Sequence, residues 1–157
     1  MTEFQRLLAN GISGESVVHS VLRSDGFKIV DVSNIEEYQK IDVDALMTNG
    51  SKEWKLEIKT DSRISETNNI CFEVGFDRNA GFRDWWFNKC EADVLCIYDD
   101  VKGIIYQLAW KRTKKYVSEY GKQIKFWNKF DKCFVYLVLI SLKDAYKNNL
   151  IIKTYKI

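Results

Sequence analysis

The chain holds 157 residues, with 24 basic and 22 acidic side chains, 46% apolar and 14% aromatic residues, and no proline. That length suits one compact domain, and the composition excludes a disordered chain, a proline-rich linker and a collagen-like segment. The longest apolar run, near Phe134 to Ile140, is far short of the roughly 20 residues of a membrane-spanning helix, and Met1-Thr2-Glu3-Phe4 opens no visible secretory leader.

In chain order, residues 3–10 predict a short helix ended near Asn10-Gly11, and Ser13-Gly14 opens a second one reaching about Ser24. Val17, Val18, Val21 and Leu22 give it a 3.6-residue apolar face, and Gly26 stops it. Phe27 to Val32 reads as a strand. Ile41 to Thr48 alternates apolar and polar residues, Asn49-Gly50 is a turn signal, and Trp54 to Thr60 alternates again. Ile70 to Val74 and Asp93 to Tyr98 are further strands, with an aromatic stretch, Phe82 to Lys89, that is helical or irregular. Gly103 to Ala109 predicts a strand, and Trp110 to Tyr120 a basic helix ended by Gly121. Cys133 to Ile140 is apolar enough for a buried strand. Ser141 caps a short helix to Asn148, and Leu150 to Ile157 closes as a strand. The expected fold class is α/β (α+β), with a mixed sheet flanked by helices in a single domain, 1–157.

Charge is split along this order. Residues 1–100 carry 11 Lys/Arg and 19 Asp/Glu, whereas residues 101–157 carry 13 and 3. The basic third fits a polyanion, most often nucleic acid, or else a solvated lysine-rich surface. Carboxylates gathered in such a protein repel phosphate unless a divalent cation lies between them. The four cysteines contain no CxxC pair and His19 is the lone histidine, so reduced thiols in a cytoplasmic protein are expected rather than a zinc site.

Alternate residues of a strand share a face, so the reading places Asp42 and Asp44 together, and likewise Glu57 and Lys59. If Thr48 pairs with Ser51, Asp42 lies across from Glu57. A loop longer by two residues puts Asp44 there instead. Both registers gather the carboxylates and Lys59, and a one-residue slip separates them. Opposed carboxylates repel, and a Mg²⁺ (or Mn²⁺) ion held by them turns that repulsion into a site. A lysine beside it orients or deprotonates the attacking water and stabilises charge on a reacting phosphate. Glu53-Trp54-Lys55 repeats the Glu-x-Lys pattern on the same strand, but at the turn. Glu57-Ile58-Lys59 is preferred because it lies deeper.

This set resembles the PD-(D/E)xK nuclease superfamily, which includes restriction endonucleases and Holliday junction resolvases. The resemblance rests on Asp44, Glu57-Ile58-Lys59 and Glu15 in Gly14-Glu15-Ser16, and spans about residues 13–100. It implies a restriction-endonuclease-like αβββαβ core and a Mg²⁺-dependent DNA endonuclease. In that reading Asp44, Glu57 and the Ile58 carbonyl bind the metal, Lys59 acts on the water, and Glu15 supports the site. Asp42 stands as the alternative to Asp44. Asp93, in Glu91-Ala92-Asp93, resembles an Ala-Asp step before a strand in other members. The resemblance leaves residues 101–157 unassigned; one site per small domain implies a homodimer for cutting both strands.

Around this core, Lys111, Arg112, Lys114 and Lys115 are the candidate phosphate contacts. Glu15 is also a favoured first-turn residue, and His19 reads as a surface or packed histidine. Glu73 contacts the site or faces solvent. Trp85 and Trp86 fit a core or interface, or a stacking platform for a flipped base. The rival functions are a non-catalytic nucleic-acid-binding or interaction domain on the same fold, and an RNA-directed nuclease. No membrane partner is expected.

Overall fold

Two sheets share the core of this computed structural model, which describes residues 3–78 and 81–157, with side chains from residue 13 onward. The central sheet has six strands in the order β1 (Lys28–Asp31), β2 (Ala45–Asn49), β3 (Lys52–Thr60), β6 (Val94–Asp99), β7 (Ile104–Ala109) and β10 (Ile151–Lys156). All neighbours are antiparallel except β3 and β6, which run parallel, so the sheet is mixed.

A parallel pair needs a crossover. Here residues 61–93 leave the central sheet through α3 (Ile64–Thr67), build β4 (Asn69–Asp77) and β5 (Phe82–Asp84), and return through α4 (Trp86–Lys89). With β8 (Lys122–Asn128) and β9 (Cys133–Ser141) these strands form a second, four-stranded antiparallel sheet, ordered β5-β4-β9-β8. The sequence reading left β8 as no element, since Lys122, Gln123, Lys125 and Asn128 break its apolar pattern. Pairing with β9 holds it, and most of its residues are exposed.

Helix α1 (Glu3–Ser24) covers one face of the central sheet. Val18 and Leu22 pack there on Ile29, Ala45, Met47, Leu56, Ile58, Val94, Cys96 and Ile105. The opposite face, with Leu95, Ile97, Tyr106 and Leu108, packs on the inner side of the second sheet (Ile70, Phe72, Val138, Ile140) and on Trp110 and Val117 of α5 (Trp110–Tyr120). Helix α6 (Leu142–Lys147) adds Ala145, and its cap is as predicted, with Ser141 Oγ accepting from the Asp144 N–H at 3.0 Å.

Three expectations need correction. Residues 3–24 form one helix rather than two, because Asn10-Gly11 does not break it. An interior helical glycine costs about 1 kcal/mol against alanine, which docking of the same helix on the sheet offsets. Second, β2 begins only at Ala45. Residues 36–39 form a short helical turn, α2 (Glu36–Gln39), and Asp42 adopts a left-handed backbone (φ 48°). Asp42 and Asp44 therefore do not share a strand face. Third, β9 is a half-buried strand. Val138 and Ile140 enter the core, while Val135, Leu137 and Leu139 line an open face.

All four cysteines are free thiols. No described helix is long and apolar enough to cross a membrane.

Candidate active site

Register decides which carboxylates meet. In the β2–β3 hairpin Thr48 pairs with Glu53 and Ala45 with Leu56. This is the longer-loop alternative, so Asp44, just beyond β2, stands across from Glu57. The Asp44 N–H donates to the Leu56 carbonyl at 2.9 Å, and Asp44 Oδ2 accepts the Ile58 N–H at 2.7 Å. The Asp44 side chain thus continues the ladder where its own strand has ended. That bond fixes its carboxylate beside β3.

Strand alternation does the rest. Leu56 and Ile58 point toward α1, so Glu57 and Lys59 point to the opposite face. Glu57 is only 2% exposed and forms an ion pair with Lys59, whose side chain keeps 40% exposure. Burial raises the Glu57 carboxyl to about 8; Lys59 opposes the shift and Asp44 adds to it. Burial pulls the Lys59 ammonium down, but Glu57, with help from Asp44 and Asp42, outweighs it, and the net shift is upward. Lys59 Nζ also sits 4.9 Å from the Trp86 ring centre, a cation–π contact. The other face of Trp86 is stacked on Trp110 at 5.4 Å and 17°.

Glu15 arrives from α1. Burial raises its carboxyl, and Asp44 and Asp31 raise it further, while Lys59 lowers it. Gly14 allows this approach, because a Cβ there would overlap Thr60 Oγ1 at the end of β3. A side chain at position 14 would push the helix, and Glu15 with it, away from the site. Asp44, Glu57 and Lys59 are thus brought together, while Glu15 stays on the α1 side, near enough for Asp44 and Lys59 to shift its carboxyl.

Asp42 leaves the strand face of Asp44, yet its charge still reaches Lys59 and its Oδ2 is, like Glu57 Oε2, buried without a hydrogen-bond partner. Its carboxylate pairs with Lys89 at 3.3 Å, and its carbonyl accepts from Cys90 Sγ at 3.3 Å. Glu53 is exposed at the turn, and Lys55 pairs with Glu91 at 3.9 Å. Asp93 accepts the Lys55 N–H at 2.8 Å, which ties the start of β6 to β3. His19 is buried, and its Nε2 has no hydrogen-bond partner. Burial lowers its pKa, with Asp31 opposing. Glu73 is exposed on the outer face of the second sheet.

On α5, Lys111 and Lys115 are exposed, whereas Arg112 donates to the Asn149 carbonyl and Lys114 to the Asn88 and Cys90 carbonyls, both at 3.2 Å. The sequence reading missed two partners of Lys59. One is Trp86 as its platform. The other is the cavity beside it, of 360 Å³, which Asp61, Arg63, Trp85 and Phe126 also line. Gly14, directly before Glu15, was the available signal for the close approach of α1. The cavity had none, because its walls come from distant segments.

The donor set suits a hard divalent cation. Glu57 Oε2 is buried and has no hydrogen-bond partner, while Oε1 pairs with Lys59 and the Asp44 carboxylate acts on the same group, so a proton or a cation would satisfy Oε2. Among the described residues no cluster of three or more His, Cys, Asp or Glu side chains is poised around one point. The protein would therefore supply two carboxylates, and water and substrate oxygens the remainder, a common arrangement for Mg²⁺.

The fold is similar to that of a bacterial homing endonuclease. The solved structure of that protein, I-Ssp6803I, superposes with a TM-score of 0.51 at 12% sequence identity, over 68% of this chain and 70% of that one. No family model and no curated protein sequence matches the chain. The likeness shows a mixed α+β nuclease-like fold with a six-stranded central sheet.

Proposed function

We propose that this chain is a divalent-metal-dependent nuclease of the PD-(D/E)xK type that hydrolyses phosphodiester bonds in DNA. One observation carries the reading. The hairpin register sets Asp44 across from a buried Glu57 with an unpartnered oxygen, and Lys59 lies on the same face. The likeness to a homing endonuclease supports the same class.

Asp44, Glu57 and the Ile58 carbonyl would hold Mg²⁺ or Mn²⁺, with Glu15 as outer support. Such an ion supplies Lewis acidity and lowers the pKa of bound water. Lys59, beside these carboxylates, would orient or deprotonate the attacking water and stabilise charge on the phosphoryl oxygens. The water loses a proton, to Lys59 or to solvent, as its oxygen bonds to phosphorus and the bond to the leaving oxygen breaks, and the leaving oxygen takes up a proton from solvent. Lys111 and Lys115 contact the DNA backbone, so affinity falls steeply with salt. Cutting both strands of a duplex calls for two copies of the chain.

The test is cleavage of a substrate panel (supercoiled plasmid, linear duplex, single strand, four-way junction) with Mg²⁺, Mn²⁺ or EDTA. Cutting that requires metal and is lost in Asp44→Ala and Lys59→Ala is the expected result. Binding unaffected by metal, with no cutting of any substrate, would instead mark a non-catalytic module.

A further inference from the structure

The outer face of the second sheet is apolar over much of its area, and among the described residues no other element covers it. The register puts Cys71 of β4, Ile124 and Phe126 of β8, and Leu137 and Leu139 of β9 on one side. Their alternates Ile70, Phe72, Val138 and Ile140 fill the core on the other. Three adjoining cavities of 160, 360 and 370 Å³ follow this outer face, and Phe126 lines all three. The middle one reaches Lys59. The trough is thus continuous with the candidate active site.

Its walls and charges select among occupants. Trp85 is 47% exposed and Phe126 43%. Trp85 meets Phe76 in an edge-to-face contact at 5.1 Å and also lines the cavity. Trp86 is half-buried, carries Lys59 over its ring, stacks on Trp110, and adds a further part of the wall of the middle cavity. The middle cavity holds carboxylates, Asp61 and Glu73, beside the cations Lys59 and Arg63. Carboxylates on a floor repel phosphate but accept hydrogen bonds from the amino groups of bases. Phosphates fit beside Lys59 and Arg63, with the attached base turned inward. A volume of 360 Å³ is that of a small-ligand pocket, far too small for a duplex. Bases inside a duplex also present no free face to an aromatic ring.

We infer that this trough seats an unpaired nucleobase flanking the scissile phosphate, with Trp85 and Phe126 as its stacking surfaces. The inference rests on the nuclease reading and narrows its substrate class to nucleic acid with unpaired residues at the cut, such as a loop, a flap or a single strand. Stacking on one aromatic side chain is worth roughly a factor of ten or more in affinity.

The experiment uses the full chain in EDTA, so that binding is read without cutting. Fluorescence anisotropy compares three labelled oligonucleotides: a single strand, the perfectly paired duplex, and that duplex with an internal unpaired loop. The single strand and the looped duplex should bind at least about tenfold more tightly than the paired duplex. Trp85→Ala and Phe126→Ala should each remove about tenfold of that preference, and Trp85→Phe should keep most of it. Both positions are half-exposed, and circular dichroism checks that the variants fold. Equal binding of all three probes, indifferent to these variants, would overturn the inference. It would leave the nuclease reading to stand on metal-dependent cutting lost in Lys59→Ala. Sedimentation that finds a dimer for wild type and a monomer for Trp85→Ala and Phe126→Ala, without nucleic acid, would assign the face to a second copy, which also overturns it. If no probe binds and nothing is cut, both readings fall.

Discussion

Strand β3 carries Glu-x-Lys twice, and the two copies differ in everything except sequence. Glu53 and Lys55 lie near the turn, with Glu53 exposed and Lys55 paired to the exposed Glu91. One turn of the pleat further on, Glu57 is buried, faces Asp44 and holds Lys59, which rests on Trp86. A surface ion pair is worth little. A buried carboxylate beside another carboxylate is costly unless it serves something. The comparison teaches that position along one strand, set by where its partner strand ends, separates a solvated motif from a site.

The sharpest way to break this contrast is to mutate both copies. Lys59→Ala and Glu57→Ala are expected to lower metal-dependent cleavage by at least about 10²-fold, the typical loss of a transition-state contact. Lys55→Ala and Glu53→Gln should change it less than about twofold, because neither residue faces Asp44. Initial-rate assays on whichever substrate is cut decide this. Equal losses in the two pairs would show that the deeper copy is not the site.

The next effect is on stability and runs with pH. In the folded, metal-free chain Glu57 titrates at about 8, against an ordinary value of 4.5. Between these values the folded state keeps a proton that the unfolded state has released. Stability therefore falls as pH rises from about 4.5 to about 8. Glu57→Gln removes that dependence. Its melting temperature should match wild type near pH 5 and exceed it at pH 8 by on the order of 5 °C, since 1 kcal/mol moves a domain of this size by a few degrees. Mg²⁺ should raise the melting temperature of wild type at pH 8 but not that of Glu57→Gln. Thermal scans across pH, with and without the metal, check both. A Glu53→Gln control should be flat.

Much of this was legible in the sequence. Alternation along 54–60 placed Glu57 and Lys59 on one face, and the Asn49-Gly50 turn restricted the hairpin to two registers. Pattern could not choose between them, because both bury the same apolar residues; the choice needed the Asp44 bond to the Ile58 N–H. Asp42 was misplaced because a left-handed residue interrupts an alternating run without changing its composition. The second sheet was hidden for a related reason. Its strands come from segments up to 70 residues apart, 69–77 and 133–141 among them, and the polar β8 shows no period of its own. The resemblance quoted Gly14-Glu15-Ser16 as a helix opening, but the sequence does not show that Gly14 stands against Thr60 with no room for a Cβ.

Gly14→Ala tests that last point. An added Cβ would overlap Thr60 Oγ1, so helix and strand must separate or Thr60 must turn aside. Overpacking of this kind costs about 1–3 kcal/mol. Cleavage should fall together with stability, and Gly14→Ala combined with Thr60→Ala should recover much of both. A double variant as impaired as the single one would show that the close approach is not what position 14 provides.

The smallest expected effect concerns what holds Lys59 in place. Only the deeper lysine has an aromatic platform that is itself stacked, through Trp86 on Trp110. The contact is worth about 0.5–1 kcal/mol at a half-exposed site. Trp86→Leu keeps an apolar side chain against Trp110 but removes the ring face. It should lower kcat about two- to fivefold with KM nearly unchanged, because a less confined ammonium orients water less well without altering how DNA docks. Trp86→Phe should recover most of the loss, since a smaller ring still attracts the cation. If Leu and Phe behave alike, Trp86 acts by packing alone, and the two Glu-x-Lys copies differ only in burial and in their distance from Asp44.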